Sequence, residues 1–176
     1  HLAQSKEYRN FPAGAEDMRR INIDATCQLL DWSSRTGVKK FIFSSTANVY
    51  GEFCGPLNET HPTNPSSFYG ATKLAAEHLV RQYQHFFDVH VLRLFTVYGP
   101  GQNKMLIPNI INNVKTGDEI FLAQKIGLKF TPIFIDDLVE IISKIIACPL
   151  VLDTCVLNVC GSEITTLNSV VNLVEK

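Results

Sequence analysis

The chain of 176 residues has no glycine-rich turn, no closely paired cysteines and no long apolar run, and each absence removes a class of function. None of its ten glycines stands in a G-x-G-x-x-G or G-x-x-G-x-x-G spacing, so no phosphate-cradling turn is found within it. The five cysteines, Cys27, Cys54, Cys148, Cys155 and Cys160, are odd in number and form no C-x-x-C. The five histidines show no ligand spacing with each other or with the cysteines, and no metal site is expected. Cys27, Cys155 and Cys160 fall in apolar patterns, where a reduced thiol acts as a small hydrophobe, which points to a reducing, cytoplasmic setting. No stretch of about 18 uninterrupted apolar residues exists, so no membrane span is expected. The apolar stretch near residues 133–147 is interrupted by Asp136, Asp137, Glu140 and Lys144. Charge is balanced, 16 Lys and Arg against 17 Asp and Glu, with no basic stripe, so nucleic-acid binding is not expected. Hydrophobic content of 45% with 19% charged residues describes a globular chain. Internal repeats and low-complexity segments are also lacking.

Apolar periodicity and turn residues alternate between helix and strand along the chain. A helix is expected over 16–36, with Met18, Ile21, Ala25, Leu29 and Trp32 near one stripe and Gly37 as its stop. Strands are expected over 39–45, 89–95, 119–123, 131–135 and 155–159. Further helices are expected over 67–87, 106–116 (ending at Gly117) and 137–147 (capped by Asp136), with a last one capped by Thr166. The segments 47–65 and 98–104 read as loops. This alternation predicts an α/β fold with parallel strands and crossover helices.

One spacing carries chemistry. Tyr69 and Lys73 lie four apart on the expected 67–87 helix, hence one turn apart on one face. A phenol loses its proton near pH ~10, and a neighbouring ammonium favours the phenolate. Thr46, at the polar end of the run Lys39-Lys40-Phe41-Ile42-Phe43-Ser44-Ser45-Thr46, adds a hydroxyl able to bond both the phenol and a substrate hydroxyl. Such a set suits proton transfer in carbinol–carbonyl chemistry. The strand ends at Thr46 and at 94–95 flank the Tyr69 helix, and ligands of doubly wound sheets bind at such carboxyl ends.

Six stretches together resemble the nucleotide-sugar epimerase/dehydratase branch of the extended short-chain dehydrogenase/reductases. They are His1-Leu2-Ala3, Asn22-Ile23-Asp24-Ala25-Thr26, Ser44-Ser45-Thr46-Ala47-Asn48-Val49-Tyr50-Gly51, Tyr69-Gly70-Ala71-Thr72-Lys73, Leu92-Arg93-Leu94-Phe95-Thr96-Val97-Tyr98-Gly99-Pro100-Gly101 and Ile135-Asp136-Asp137-Leu138. They occur in family order. The resemblance implies an incomplete Rossmann-type doubly wound parallel sheet with a small C-terminal substrate-binding part. Residues 1–97 would be the C-terminal portion of the NAD(P)-binding domain, and 98–176 a partial substrate-binding region with interleaved sheet elements. The family's opening glycine-rich segment has no counterpart here, so the chain reads as N-terminally truncated and is expected to be inactive and unable to bind NAD(P) by itself.

The resemblance also implies roles. Tyr69 would be the acid/base, with Lys73 and Thr46 as its catalytic companions. Leu2, Ala3, Asn22, Ser44, Tyr69, Lys73, Leu94 and Phe95 would lie along the cofactor, NAD in preference to NADP. Thr46, Ala47, Asn48, Thr96, Met105, Leu106 and Lys129 would face a nucleotide-sugar substrate. Helices 16–36 and 67–87 would pair two subunits into a homodimer. Three departures bear on the substrate. Ala47-Asn48 stands where 4,6-dehydratases carry an Asp-Glu pair, which favours epimerisation. Thr96 stands where many relatives carry an asparagine. Lys129-Phe130-Thr131 stands where relatives place an arginine that grips the pyrophosphate in bidentate fashion. The same residues would serve an NAD(P)-dependent reductase or dehydrogenase of another carbonyl, whereas the other alternative, a non-catalytic binding protein on a Rossmann scaffold, would not require them. His61, His78, His85 and His90 show no evident partner in the sequence, and Glu77 and Arg81 read as an exposed i,i+4 pair.

Overall fold

A computed structural model of the protein describes residues 1–53, 55–122, 126–147 and 155–175. Cys54, Cys148, residue 123 of the expected 119–123 strand and Lys176 fall outside them. The chain divides into two compact units: residues 1–94 with 155–158, and residues 95–122, 126–147 and 159–175.

The first unit is built on a parallel sheet. Strand β1 (Lys40–Thr46) pairs in parallel with β2 (Asp88–Leu94), from Lys40 opposite Asp88 to Thr46 opposite Leu94. Strand β6 (Val156–Val159) lies on the far side of β2. On the other edge of β1, the amino group of His1 donates to the Ile42 carbonyl at 2.7 Å and Ser44 N–H donates to the His1 carbonyl. The first residue thus sits in register beside the strand. β1 is mostly buried, and its apolar Phe41 and Phe43 enter the core, as expected for a strand covered on both faces.

Three helical pieces precede and cross the sheet: α1 (Ala15–Arg19), a π turn (Arg20–Asp24) and α2 (Ala25–Arg35). The expected single helix over 16–36 is therefore interrupted. The π turn changes which face is buried: Met18, Asn22, Thr26, Leu30 and Ser33 point inward, in place of the predicted stripe of 18, 21, 25, 29 and 32. A wider turn shifts the helical phase, and it leaves Leu29 and Trp32 40% and 60% exposed. Helix α3 (Phe68–Gln82) starts at Ser67, whose Oγ accepts the Gly70 N–H at 3.1 Å. It ends earlier than the predicted residue 87. A 3-10 turn at Tyr83–His85 follows, so that Phe87 enters the core at 6% exposure just before β2 begins. Leu30, Ala76 and Val80 pack with Phe41, Phe43, Phe87, Val89, Val91 and Val156 into one apolar cluster. That burial anchors α2 and α3 to the sheet.

In the second unit, β3 (Thr96–Tyr98) pairs in parallel with β5 (Pro132–Phe134), and β4 (Lys129–Phe130) pairs antiparallel with β7 (Thr165–Thr166). Helix α4 (Leu106–Thr116) stops at Gly117, whose φ of 73° is the left-handed conformation expected of that glycine. Helix α5 (Ile135–Ala147) starts one residue ahead of Asp136, which sits in its first turn and is not its cap. Helix α6 (Leu167–Val174) is capped by Thr166, which accepts the Ser169 N–H at 3.1 Å. Residues 119–122 form no strand: no partner strand forms a ladder with them, and Phe121 is 86% exposed. The predicted strands 89–95 and 131–135 and the loop 98–104 shift by one or more residues, to β2 followed by β3, and to β5. Cys27 and Cys155 are half-buried, but Cys160 is exposed, contrary to its apolar pattern. Among the described residues, no helix is long and apolar enough to cross a membrane, and no cluster of His, Cys, Asp and Glu could hold a metal ion.

Candidate active site

The carboxyl end of β1 delivers Thr46, and the first turn of α3 delivers Tyr69. The two elements meet because the chain between them folds back tightly. Gly51 (φ 75°) begins the return, and a β-carbon there would clash with the Asn64 carbonyl oxygen. Gly70 lets α3 approach the 3-10 turn at Ala47–Tyr50, since a β-carbon there would lie 2.7 Å from the Asn48 carbonyl oxygen. Two close backbone approaches therefore set the distance between Thr46 and Tyr69.

The hydroxyls form a directional chain. Thr46 Oγ1 accepts the Asn48 N–H at 3.3 Å. Its own hydroxyl is left to bond the Tyr69 phenol. Tyr69 Oη in turn donates to Gln4 Oε1 at 2.8 Å. Burial pushes the Tyr69 phenol above its ordinary value, and the hydrogen bond from Thr46 opposes that rise. The expected depression of the phenol by Lys73 is not found: desolvation of a ring that is only 8% exposed raises it, and the opposing influence is Thr46.

Lys73 follows one turn along α3 and is 1% exposed. Its Nζ lies 4.4 Å from the centroid of the Phe43 ring and has no hydrogen-bond partner among the described residues. Burial lowers this amine to about 8 from 10.5, with the Glu77 carboxylate pulling the other way. A buried ammonium without acceptors is uncommon, and it marks a place built for oxygens that the chain does not itself provide.

The other expected site residues divide by location. Asn22 is fully buried, with its Oδ1 accepting the Ser5 N–H and its Nδ2 donating to Thr72 Oγ1, each at 3.0 Å. It ties the segment carrying Gln4 to α3, and both ends of its amide are engaged within the protein. Ser44 is buried, Leu2, Ala3 and Asn48 are exposed, and Ala47 and Leu94 are half-buried. Phe95, Thr96, Met105, Leu106 and Lys129 belong to the second unit. There Thr96 opens β3, Met105 precedes α4, Leu106 begins it, and Lys129 is exposed on β4.

Several residues went unseen in the sequence. Gln4, directly after His1-Leu2-Ala3, holds the phenol. Glu77 is not an exposed partner of Arg81. It is 2% exposed and receives Arg93 Nη2 at 2.8 Å and Nε at 3.2 Å, with Ser45 Oγ bonded to its other oxygen. Arg93 Nη1 also donates to Tyr50 Oη at 2.8 Å, and Tyr50 donates to Asn158 Oδ1 at 2.7 Å. His61 and His90 do have partners, Asn58 and Asp88.

The parallel sheet with its covering helices defines a Rossmann-type α/β fold. The model of the NAD dependent epimerase/dehydratase family matches residues 1–159, and the chain belongs to that family. It is 33% identical over 162 residues to the uncharacterized UDP-glucose epimerase YtcB of Bacillus subtilis, covering 88% of this chain and 49% of that protein. It is 42% identical over 82 residues to the UDP-glucuronate 4-epimerase of Thermodesulfobacterium geofontis, covering 45% of this chain and 25% of that one. Its fold superposes with a TM-score of 0.88 on the UDP-glucuronic acid 4-epimerase of Bacillus cereus in complex with UDP-glucuronic acid and NAD, at 29% identity, covering 99% of this chain and 57% of that one. The chain thus spans about half the length of the relatives it matches.

Proposed function

We propose that the protein carrying this chain is an NAD-dependent epimerase of a nucleotide-linked sugar, with Tyr69 as acid and base. The observation that supports this reading best is the buried Lys73 amine, which has no hydrogen-bond partner among the described residues and stands beside the Thr46–Tyr69–Gln4 hydroxyl chain. The hydroxyls of a nicotinamide ribose fit that amine, and Lys73 would hold them. Leu2, Ala3, Ser44 and Leu94 would flank the cofactor. Bound NAD would supply the acceptance and return of a hydride. Tyr69 would take the proton of a sugar hydroxyl held by Thr46, leaving a ketone at that carbon, and would return it after the sugar turns over. The raised phenol requires a cation to ionise, and Lys73 is the charge one helical turn away. Ala47 and Asn48 provide no acid for loss of water, which favours inversion over dehydration. In the second unit, Thr96, Met105, Leu106 and Lys129 are offered as contacts for the nucleotide part. The exposed Leu29, Trp32 and Phe86 on and beyond α2 and α3 support a homodimer through these helices.

The test is to incubate the full-length gene product with NAD and either UDP-glucose or UDP-glucuronate and to separate the sugar epimers. Formation of the 4-epimer with no net NADH is the expected result. Net accumulation of NADH would replace epimerisation by dehydrogenation. No conversion of either sugar, in a protein that binds NAD, would refute the reading.

A further inference from the structure

Behind the hydroxyl chain lies a second polar group, and it is fully internal. Glu77 is one turn beyond Lys73 on α3, so Tyr69, Lys73 and Glu77 share one face of the helix at successive turns. The Glu77 carboxylate is 2% exposed. Arg93 on β2, itself 5% exposed, grips it through Nε and Nη2, and Ser45 at the end of β1 bonds its other oxygen. Arg93 is fixed in turn by Tyr50. The carboxylate is therefore held at one place, paired with a guanidinium that cannot give up its proton. A structural brace between helix and sheet needs no more than that. The neighbouring ammonium adds something a brace does not explain: Lys73 is buried against an aromatic ring with no hydrogen-bond partner among the described residues, and Glu77 stands one turn further along its face.

We propose that Glu77, held by Arg93 and Ser45, is a positioning residue for Lys73: its fixed negative charge keeps the buried amine protonated, and so available to Tyr69. The inference rests on the epimerase reading for its functional meaning, but the charge relation itself does not need turnover. The titratable and charged groups that face Lys73 are Glu77 and Tyr69 from its own helix, Arg93 behind Glu77 from β2, and the amino group of His1 beside β1. From β1 the Phe43 ring lies against the amine. Glu77 is the one member of this set whose ordinary charge is negative, so it alone favours the ammonium. Without it, burial and the surrounding cations all act in the same direction, toward the neutral amine.

The experiment is a pH titration by NMR of the protein labelled with 13C at lysine Cε and at glutamate Cδ, with Lys73→Met identifying the Lys73 signal. The Lys73 midpoint is expected near 8 in the unmodified protein. In Glu77→Gln, which keeps the size and one acceptor of the side chain, it should fall by at least about one pH unit. A midpoint that does not move in folded Glu77→Gln overturns the proposal and leaves Glu77 a brace only. Should that variant fail to fold, the unmodified protein decides. The Glu77 Cδ signal must show an inflection at the Lys73 midpoint, and Lys73→Met must remove it. A Glu77 signal that ignores the Lys73 titration overturns the proposal equally. Failure of the epimerase reading looks different: the titrations would behave as stated while the full-length protein converts no nucleotide sugar.

Discussion

Replacing Lys73 by methionine should stabilise the protein while removing its proposed chemistry. Lys73 is 1% exposed, and its Nζ has no hydrogen-bond partner among the described residues. Its amine is held at about 8 where an exposed lysine titrates at 10.5. At about 1.4 kcal/mol per pH unit, the folded state carries a penalty of about 3 kcal/mol for the charged form at neutral pH. The ring of Phe43 at 4.4 Å returns part of that, up to about 2 kcal/mol for a desolvated cation over an aromatic face. Methionine fills a similar volume with an unbranched chain and leaves Glu77 paired with Arg93 and Ser45. The net expectation is a gain of about 1–3 kcal/mol for Lys73→Met at pH 7. The sign with pH follows from proton counting. Between about 8 and 10.5 the unfolded chain binds this proton and the folded one does not. Stability of the unmodified protein therefore rises through that window, relative to the variant, and the advantage of methionine shrinks as the pH rises toward 10.5. Urea denaturation followed by circular dichroism at pH 7, 8.5 and 10 reads the difference directly. A variant less stable than the parent at pH 7, or an advantage that does not decline with pH, would refute the account of Lys73 as a strained, unpartnered cation.

Tyr69→Phe in the full-length gene product should lower turnover by roughly 10²–10⁴-fold with the melting transition unchanged, checked by epimer formation and thermal scans; near-normal activity would remove Tyr69 from the acid–base role. Glu77→Ala should destabilise by about 3–5 kcal/mol, because it leaves the buried Arg93 guanidinium without its carboxylate, and chemical denaturation measures it. Gly70→Val should lower stability and displace α3 from Thr46, since the added β-carbon would meet the Asn48 carbonyl at 2.7 Å; unchanged stability would show that the helix can back away freely. Trp32→Glu should convert a homodimer to a monomer in sedimentation at micromolar protein, and a parent that is already monomeric would dispose of the proposed interface.

Local chemistry determined a good deal of this protein from its sequence alone. The run Phe41-Ile42-Phe43 forms a strand that buries both phenylalanines, and Gly117 and Thr166 stop and start helices by backbone conformation and hydrogen bonds made within a few residues. The four-residue spacing of Tyr69 and Lys73 puts them on one helical face wherever that helix lies. Long-range packing decided the rest. A π turn at Arg20–Asp24 moved the buried stripe of the first helical segment, a change of phase that amino-acid periodicity does not encode. Residues 119–122 had strand-like composition but found no ladder. Glu77 looked like an exposed partner of Arg81 because the two are neighbours on the helix surface, whereas the fold turned it inward to Arg93, sixteen positions along the chain. The phenol of Tyr69 was expected to be lowered by its lysine and is raised, because burial is a property of the tertiary structure that the four-residue spacing does not carry. Sequence spacing can bring charged groups to one face; only the packed interior fixes how strongly each group there holds its proton.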